Sequence, residues 1–127
     1  MERVKIDLEF VIKSSPTILY QYLTTPSGLV EWFCDDVNIK GSKLYSFFWD
    51  GEEFKAELTK KINGKLVKFK FLERAEEEYF QFEVTKVELT GDIGLLITDF
   101  VDDDEVEAMT LLWESQVQDL KHALGLA

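Results

Sequence analysis

Between Val37 and Val101 the sequence alternates apolar and polar residues over most of its length, with short turn signals between the runs. A period of two is typical of strands that turn one face to the core and the other to solvent. Asp50-Gly51 and Asn63-Gly64 are dipeptides that favour two-residue hairpin turns, and Lys40-Gly41-Ser42 and Gly91-Asp92 predict two further turns. We therefore predict an antiparallel meander of about six strands joined by short connections.

Four further patterns flank the meander. Alternation from Val4 to Ile12 predicts one more strand. Ser15 is a good N-cap before a helix over Pro16–Thr24, and Ser27–Phe33 is predicted as a second short helix. From Val106 to Leu124 apolar residues recur at steps of three and four, which predicts one long amphipathic helix. This order of elements predicts an α+β fold, with residues 1–127 forming one domain.

The inward rows of the predicted meander are rich in aromatic residues. They are Tyr45, Phe47, Trp49, Phe54, Phe69, Phe71, Phe80 and Phe82. The last helix is the one element long enough to cover such a face. Two interpretations are open at this point: the rings fill the space completely, as dense packing favours, or a strongly curved sheet leaves a cleft for an apolar ligand.

Four stretches of the chain resemble a known family. They are Ser15–Pro26, Leu29-Val30-Glu31-Trp32-Phe33, Phe47-Phe48-Trp49-Asp50-Gly51 and Leu112-Trp113 through Leu120-Lys121. In these motifs and their order the chain resembles the SRPBCC or START-like superfamily, in particular the bacterial branch similar to activators of the heat-shock-protein-90 ATPase. The resemblance implies the helix-grip fold: a strongly curved antiparallel sheet of about seven strands (β-α-α-β6-α) wrapped around a long C-terminal helix.

Taken with the aromatic rows, the resemblance implies a non-catalytic domain that binds a small hydrophobic or amphipathic ligand between the sheet and the C-terminal helix. The residues expected to line the cavity are Trp32, Phe47, Trp49, Phe69, Phe71, Phe80, Met109 and Trp113. Two alternatives stay open, because a fold does not by itself imply a function. One is a protein-interaction module similar to chaperone ATPase activators, and the other is a cyclase-like or hydrolase-like enzyme.

The charge balance excludes some classes of partner. Lys and Arg number 14 against 25 Asp and Glu, which gives a formal net charge of -11. This balance argues against nucleic acid, whose phosphates are bound by clustered basic residues, and against anionic membrane surfaces. The N-terminus lacks the apolar core of a signal peptide, and the apolar runs are too short to span a bilayer. We therefore expect a cytoplasmic protein without a membrane span.

The sequence offers few groups for catalysis or metal binding. Its one cysteine, Cys34, and its one histidine, His122, are far apart in the chain, so we expect neither a disulfide nor a metal or other cofactor. Asp35 and Asp36 predict a raised pKa for the Cys34 thiol and an inert, buried side chain. His122 is expected on the surface near the C-terminal end of the last helix. The acidic run Asp102–Glu105 is interpreted as capping the N-terminus of that helix rather than as a cation site.

Three apolar residues, Phe48, Leu66 and Val87, fall on rows that are expected to face solvent. Exposed apolar residues sometimes mark an interface, which would fit a homodimer. Isolated exposure on a monomer, or cover by the short helices, would explain them equally well.

Overall fold

The computed structural model describes residues 2–75 and 77–126. Within these residues seven strands form one antiparallel sheet in the order β1-β7-β6-β5-β4-β3-β2. The strands are β1 Arg3–Val11, β2 Asp36–Lys40, β3 Leu44–Trp49, β4 Glu52–Ile62, β5 Leu66–Phe71, β6 Phe80–Lys86 and β7 Ile93–Asp102. The helices are α1 Pro16–Thr24, α2 Pro26–Leu29 and α3 Val106–Ala123. The predicted helix-grip α+β fold is confirmed.

The first and second strands lie at opposite edges of the sheet. β1 pairs with β7, and β2 pairs with β3. Helices α1 and α2 connect the two edges, so the chain must cross the sheet between them. The crossing covers one end of the concave face and leaves the other end to α3.

The hairpin between β3 and β4 forms at the predicted dipeptide. Asp50 and Gly51 both have positive φ, at 51° and 82°. Two successive residues with positive φ define a type I′ turn, whose twist matches that of the flanking strands. The turn therefore sets the register in which Phe47 lies opposite Phe54 and Trp49 opposite Glu52.

The first short helix has its predicted bounds, whereas the second does not. The Ser15 hydroxyl accepts a hydrogen bond from the Ile18 amide at 3.1 Å, as expected of an N-cap. The second helix was expected over Ser27–Phe33 but ends at Leu29. After Leu29 the hydrogen bonds change from i→i−4 to i→i−3, beginning with the Glu31 amide, which donates to the Gly28 carbonyl at 3.1 Å. The Leu29 carbonyl is then shared by the amides of Trp32, Phe33 and Cys34, at 3.4, 2.8 and 3.2 Å, so the regular helical pattern does not continue.

The acidic run before α3 does not cap the helix as expected. Glu105 occupies the N-cap position, but its side chain makes no capping hydrogen bond. Asp102 is the last residue of β7, and its carboxylate accepts from the Arg3 guanidinium at 3.1 Å. Glu105 at the N-cap position and Glu107 in the first turn nevertheless lie at the positive end of the helix dipole, so the acidic charge still suits this terminus.

The two halves of α3 are buried to different extents. Trp113, Val117 and Leu120 are buried in the second half. No residue from 106 to 112 is buried, and Leu111 and Leu112 are 59% and 48% exposed. The helix therefore packs firmly on the sheet only from Trp113 onward.

The inward rows of the sheet form the core. Phe47, Phe69, Phe80 and Phe82 are almost completely buried, as the alternation predicted. Of the apolar residues expected to face solvent, Phe48 and Val87 are half-buried, but Leu66 is only 7% exposed and that expectation is wrong. Helix α1 reaches this point of the sheet, because the Tyr20 hydroxyl donates to the Leu66 carbonyl at 3.1 Å.

None of the helices in the described part of the chain combines the length and the hydropathy that a membrane crossing requires.

Candidate functional site

A pocket of about 400 Å³ lies between the concave face of the sheet and the poorly covered half of α3. The pocket is lined by aromatic, aliphatic and charged side chains. They are Phe33, Trp49, Asp50, Glu52, Phe54, Phe71, Arg74, Phe80, Asp99, Met109, Leu112, Trp113 and Gln116. Strands β3–β7 supply most of the wall, and α3 supplies the opposite side.

The eight residues predicted from the sequence divide into three groups. Five lie together on the pocket wall: Trp49, Phe71, Phe80, Met109 and Trp113. Phe47 and Phe69 are completely buried in the core and do not line the pocket. Trp32 is buried and lines a neighbouring, more polar depression. A ligand-binding role for these residues stays a prediction.

Phe33 lies at the centre of the aromatic wall, and it was missed because the sequence placed it in the second short helix. Its ring stacks on those of Phe80 (centroids 5.4 Å apart, 29°) and Trp113 (5.9 Å, 14°). The rings of Phe47 and Trp49 meet it edge-on at 5.2 and 5.1 Å. Such ring pairs stabilise the wall beyond the area that they bury.

The indole and amide donors of the wall already make hydrogen bonds within the protein. The Phe33 carbonyl accepts from the Trp49 indole at 2.6 Å and from the Gln116 amide at 3.2 Å. The Trp113 indole donates to the Asp99 carboxylate at 3.1 Å. These bonds fix the two indole rings and leave neither indole N–H group free for a ligand.

Asp99 places a carboxylate on the apolar floor of the pocket. It follows Leu95 and Ile97 on the inward row of β7 and is only 5% exposed. Its carboxylate accepts from its neighbour's amide, Phe100 N, at 2.8 Å, in addition to the Trp113 indole. Burial raises the pKa of Asp99, and these two hydrogen bonds partly oppose that rise. A charged residue on an inward row is a signal that sequence reasoning could have used.

Arg74 lies at the mouth of the pocket, in the turn after β5. Its guanidinium stands over the Phe71 ring, 4.6 Å from the centroid, and its Nη1 is 3.7 Å from Asp99 Oδ1. The side chain is 38% exposed. It therefore partly balances the buried carboxylate while remaining in contact with solvent.

Asp50 and Glu52 add two carboxylates at the rim, one on each side of Gly51 in the β3–β4 hairpin. Both residues are exposed. In the described part of the chain, neither has a Lys or Arg nitrogen within 4.0 Å. The rim of the pocket is therefore acidic.

The family model described as a START-like superfamily domain matches residues 1–126 of the chain. The chain belongs to the START-like superfamily. The membership predicted from its motifs is thus confirmed. A search of the curated proteins found no match.

Several solved structures are similar to this START-like chain over most of its length. A Bacteroides fragilis protein with a solution structure is 34% identical, with 100% of this chain and 95% of that chain covered and a TM-score of 0.67. The Aha1 dimer of Colwellia psychrerythraea is 25% identical, with 95% and 96% covered and a TM-score of 0.78. DynU16, described as a putative protein in the dynemicin biosynthetic locus, is 16% identical, with 95% and 47% covered and a TM-score of 0.77. This third likeness shows the fold alone.

The one cysteine and the one histidine of this START-like domain, Cys34 and His122, do not line the pocket. Cys34 is 6% exposed, and burial followed by Asp35 and Asp36 raises the pKa of its thiol to about 12. The predicted burial of Cys34 is therefore confirmed, and the predicted inertness of its thiol stays a prediction. His122 is exposed in the last turn of α3, as expected.

One acidic group among the described residues has oxygen atoms close enough to hold a metal ion. It consists of Asp102, Asp104 and Glu105, whose nearest carboxylate oxygens lie within 4.8 Å of one another. The hydrogen bond from Arg3 lowers the pKa of Asp102, while the hydrogen bond with Asp102 raises the pKa of Glu105. The group lies on the surface and is already engaged by Arg3, which competes with a cation.

Proposed function

We propose that residues 1–127 act as one START-like domain that binds a small hydrophobic or amphipathic molecule in the pocket between the sheet and α3, without catalysing a reaction. The observation that carries the proposal is the pocket of about 400 Å³ under the uncovered half of α3. That volume lies in the range typical of small-molecule sites, about 300–1,000 Å³.

The wall supports binding of an apolar body. Six of the thirteen lining residues are aromatic, among them Phe33 and Trp113, and Met109 adds a flexible side chain that adapts to irregular ligands. The buried part of α3 holds the helix in place, while the turns before Trp113 leave space below them. A ligand would cover apolar surface that the protein itself leaves uncovered.

The polar groups of the pocket favour binding over catalysis. The Asp99 carboxylate is held by the Trp113 indole and faced by Arg74, and the cysteine and histidine of the chain lie elsewhere. The other two carboxylates of the lining, Asp50 and Glu52, are exposed at the rim, so the pocket does not enclose a buried acid–base pair around a substrate. We therefore rank an enzyme below a binding module.

The test uses Nile red, a neutral apolar dye, together with native mass spectrometry of the freshly purified protein. We expect dye binding by the wild type, and a non-covalent adduct of small mass that is lost on denaturation. Met109→Trp should fill the pocket and abolish dye binding. Leu111→Trp adds the same side chain on the exposed side of the same helix and should leave binding unchanged. Absence of both dye binding and any adduct would overturn the proposal.

A protein-interaction role is the second candidate, and the likeness to Aha1 favours it. By this proposal the acidic surface, with a net charge of -11, docks on a basic partner in a salt-dependent manner. Capture from the parent cytoplasm at low salt, with loss of the partner at high salt, would support it.

The structure of the relative is described as a dimer, so light scattering of the purified protein should decide between monomer and homodimer. A cytoplasmic location also stays a prediction.

A further inference from the structure

We propose that the pocket selects an organic cation, an amine or quaternary ammonium group carried on an apolar or aromatic body. The inference rests on the proposed ligand-binding function and assigns a charge class to the ligand of that site.

The lining of the pocket contains more acidic than basic side chains. Asp50, Glu52 and Asp99 contribute three carboxylates, against the single guanidinium of Arg74. Arg74 is partly engaged, because it faces Asp99 at 3.7 Å. The two rim carboxylates have no basic partner among the described residues, so they leave a negative field at the entrance.

The aromatic wall of the pocket also suits a cation. Six rings line the pocket: Phe33, Trp49, Phe54, Phe71, Phe80 and Trp113. The faces of such rings attract cations within about 6 Å of the centroid. The wall already accommodates one cation in this way, because the Arg74 guanidinium stands 4.6 Å from the Phe71 centroid.

The indole donors of the pocket are engaged within the protein, whereas the carboxylate on its floor has free acceptor positions. The indole N–H groups of Trp49 and Trp113 are both bound to acceptors within the protein. The Asp99 carboxylate accepts two hydrogen bonds, from Phe100 N and the Trp113 indole. A carboxylate has about four acceptor positions. The floor of the pocket therefore offers acceptors to a ligand that donates, such as an ammonium group.

The same geometry opposes an anion. A ligand carboxylate could reach the exposed donors of Arg74, but it would place a second negative charge close to Asp99 in a weakly solvated space. An ammonium group would instead join Asp99 without removing Arg74. A neutral alcohol would donate one hydrogen bond but would gain nothing from the rim charges, so it should bind with intermediate affinity.

The test compares three compounds that share one phenylbutyl body: 4-phenylbutylamine, 4-phenylbutanol and 5-phenylpentanoate, titrated by calorimetry into the full chain. We expect affinity in the order amine, alcohol, carboxylate. The amine should exceed the carboxylate by about tenfold or more, as a charge-assisted hydrogen bond implies. Affinity for the carboxylate equal to or above that for the amine would overturn the cation preference. The pocket itself would stand, provided that Nile red still binds.

Three variants that each remove one carboxylate charge distinguish binding of the amine in the pocket from its general attraction to an acidic protein. Asp99→Asn should lower amine affinity by about tenfold, and Glu52→Gln at the exposed rim by about twofold. Glu88→Gln makes the same charge change in the exposed turn between β6 and β7 and should leave affinity unchanged. Equal effects of all three variants would overturn the proposal, as would amine binding that is indifferent to Asp99→Asn and Glu52→Gln. Loss of all three compounds together with Nile red would overturn the binding function itself.

Discussion

The two ends of the concave sheet contain similar aromatic rows but are covered differently. At one end Leu19, Leu23 and Leu29 from the short helices and Leu120 from α3 are completely buried against the sheet. At the other end the same long helix supplies residues 106–112, none of which is buried. We call these the closed end and the open end.

The contrast shows that the number of rings does not decide whether a cavity forms. Phe80 contacts Phe69 on the closed side and Phe71 on the open side at similar centroid distances, 5.0 and 4.8 Å. The rings therefore pack against one another at both ends. What differs is the second layer, because completely buried leucines fill the closed end, whereas Met109 and Leu112 of α3 remain partly exposed at the open end.

The largest effect that separates the two ends should come from removing one ring at each. Phe69→Ala deletes a completely buried ring at the closed end and should cost about 3–5 kcal/mol of unfolding free energy. Phe54→Ala removes a half-buried ring that already borders the pocket, and should cost about 1–2 kcal/mol. Urea unfolding followed by tryptophan fluorescence would measure both. Equal costs would contradict the distinction between the ends.

A smaller loss of unfolding free energy is expected from breaking the ion pair between Arg3 and Glu78, which connects β1 to the loop before β6. Glu78 is 7% exposed, and its carboxylate accepts two hydrogen bonds from Arg3, at 2.7 and 3.1 Å. Glu78→Gln should cost about 1–3 kcal/mol at neutral pH, because Arg3 loses its charged partner. Glu77→Gln changes the exposed neighbour and should cost almost nothing.

The pH dependence of the same variant gives a sharper test. The hydrogen bond from Arg3 lowers the pKa of Glu78. The stability that this carboxylate contributes is present above the ordinary glutamate pKa of about 4.3 and is lost as the pH falls through the lowered value. The wild type and Glu78→Gln should therefore converge in unfolding free energy in strong acid. A constant difference across that range would contradict the role of the ion pair.

The smallest effect concerns Asp99 at the open end. Burial raises its pKa, so the folded chain binds this proton more tightly than the unfolded chain does. The contribution of Asp99 to the unfolding free energy should therefore fall as the pH rises from the ordinary aspartate pKa of about 3.9 through the raised value, whatever the other carboxylates contribute. Asp99→Asn removes this dependence, so its unfolding free energy relative to the wild type should increase with pH over that interval. A difference that decreases with pH would contradict the assignment.

Most of the fold was accessible from the sequence because its signals are local. The alternation of β3–β6 and the hairpin at Asp50-Gly51 depend on neighbouring residues, and α1 has the bounds that Ser15 and Thr24 suggested. The second helix was predicted too long, since its end depends on how several amides share the Leu29 carbonyl. No periodicity encodes that choice.

The candidate site was accessible only in part. Trp49, Phe71 and Phe80 could be assigned to the wall because their strands fix the face on which they lie. Phe33 and Arg74 lie in turns, where no period orients a side chain. Which end of the sheet stays open depends on how α3 packs, and the apolar stripe of that helix continues through Met109 into the part that is not buried.

The pairing of β1 with β7 has a consequence for the order of folding. Arg3 pairs with Asp102, 99 positions later in the chain, whereas β2–β7 each pair with a strand that is close in sequence. Contacts between distant segments form late because closing a long loop costs entropy before the contact forms. We therefore expect β1 to join the sheet last. Until it does, β7 carries an unpaired edge that is open to association with other chains.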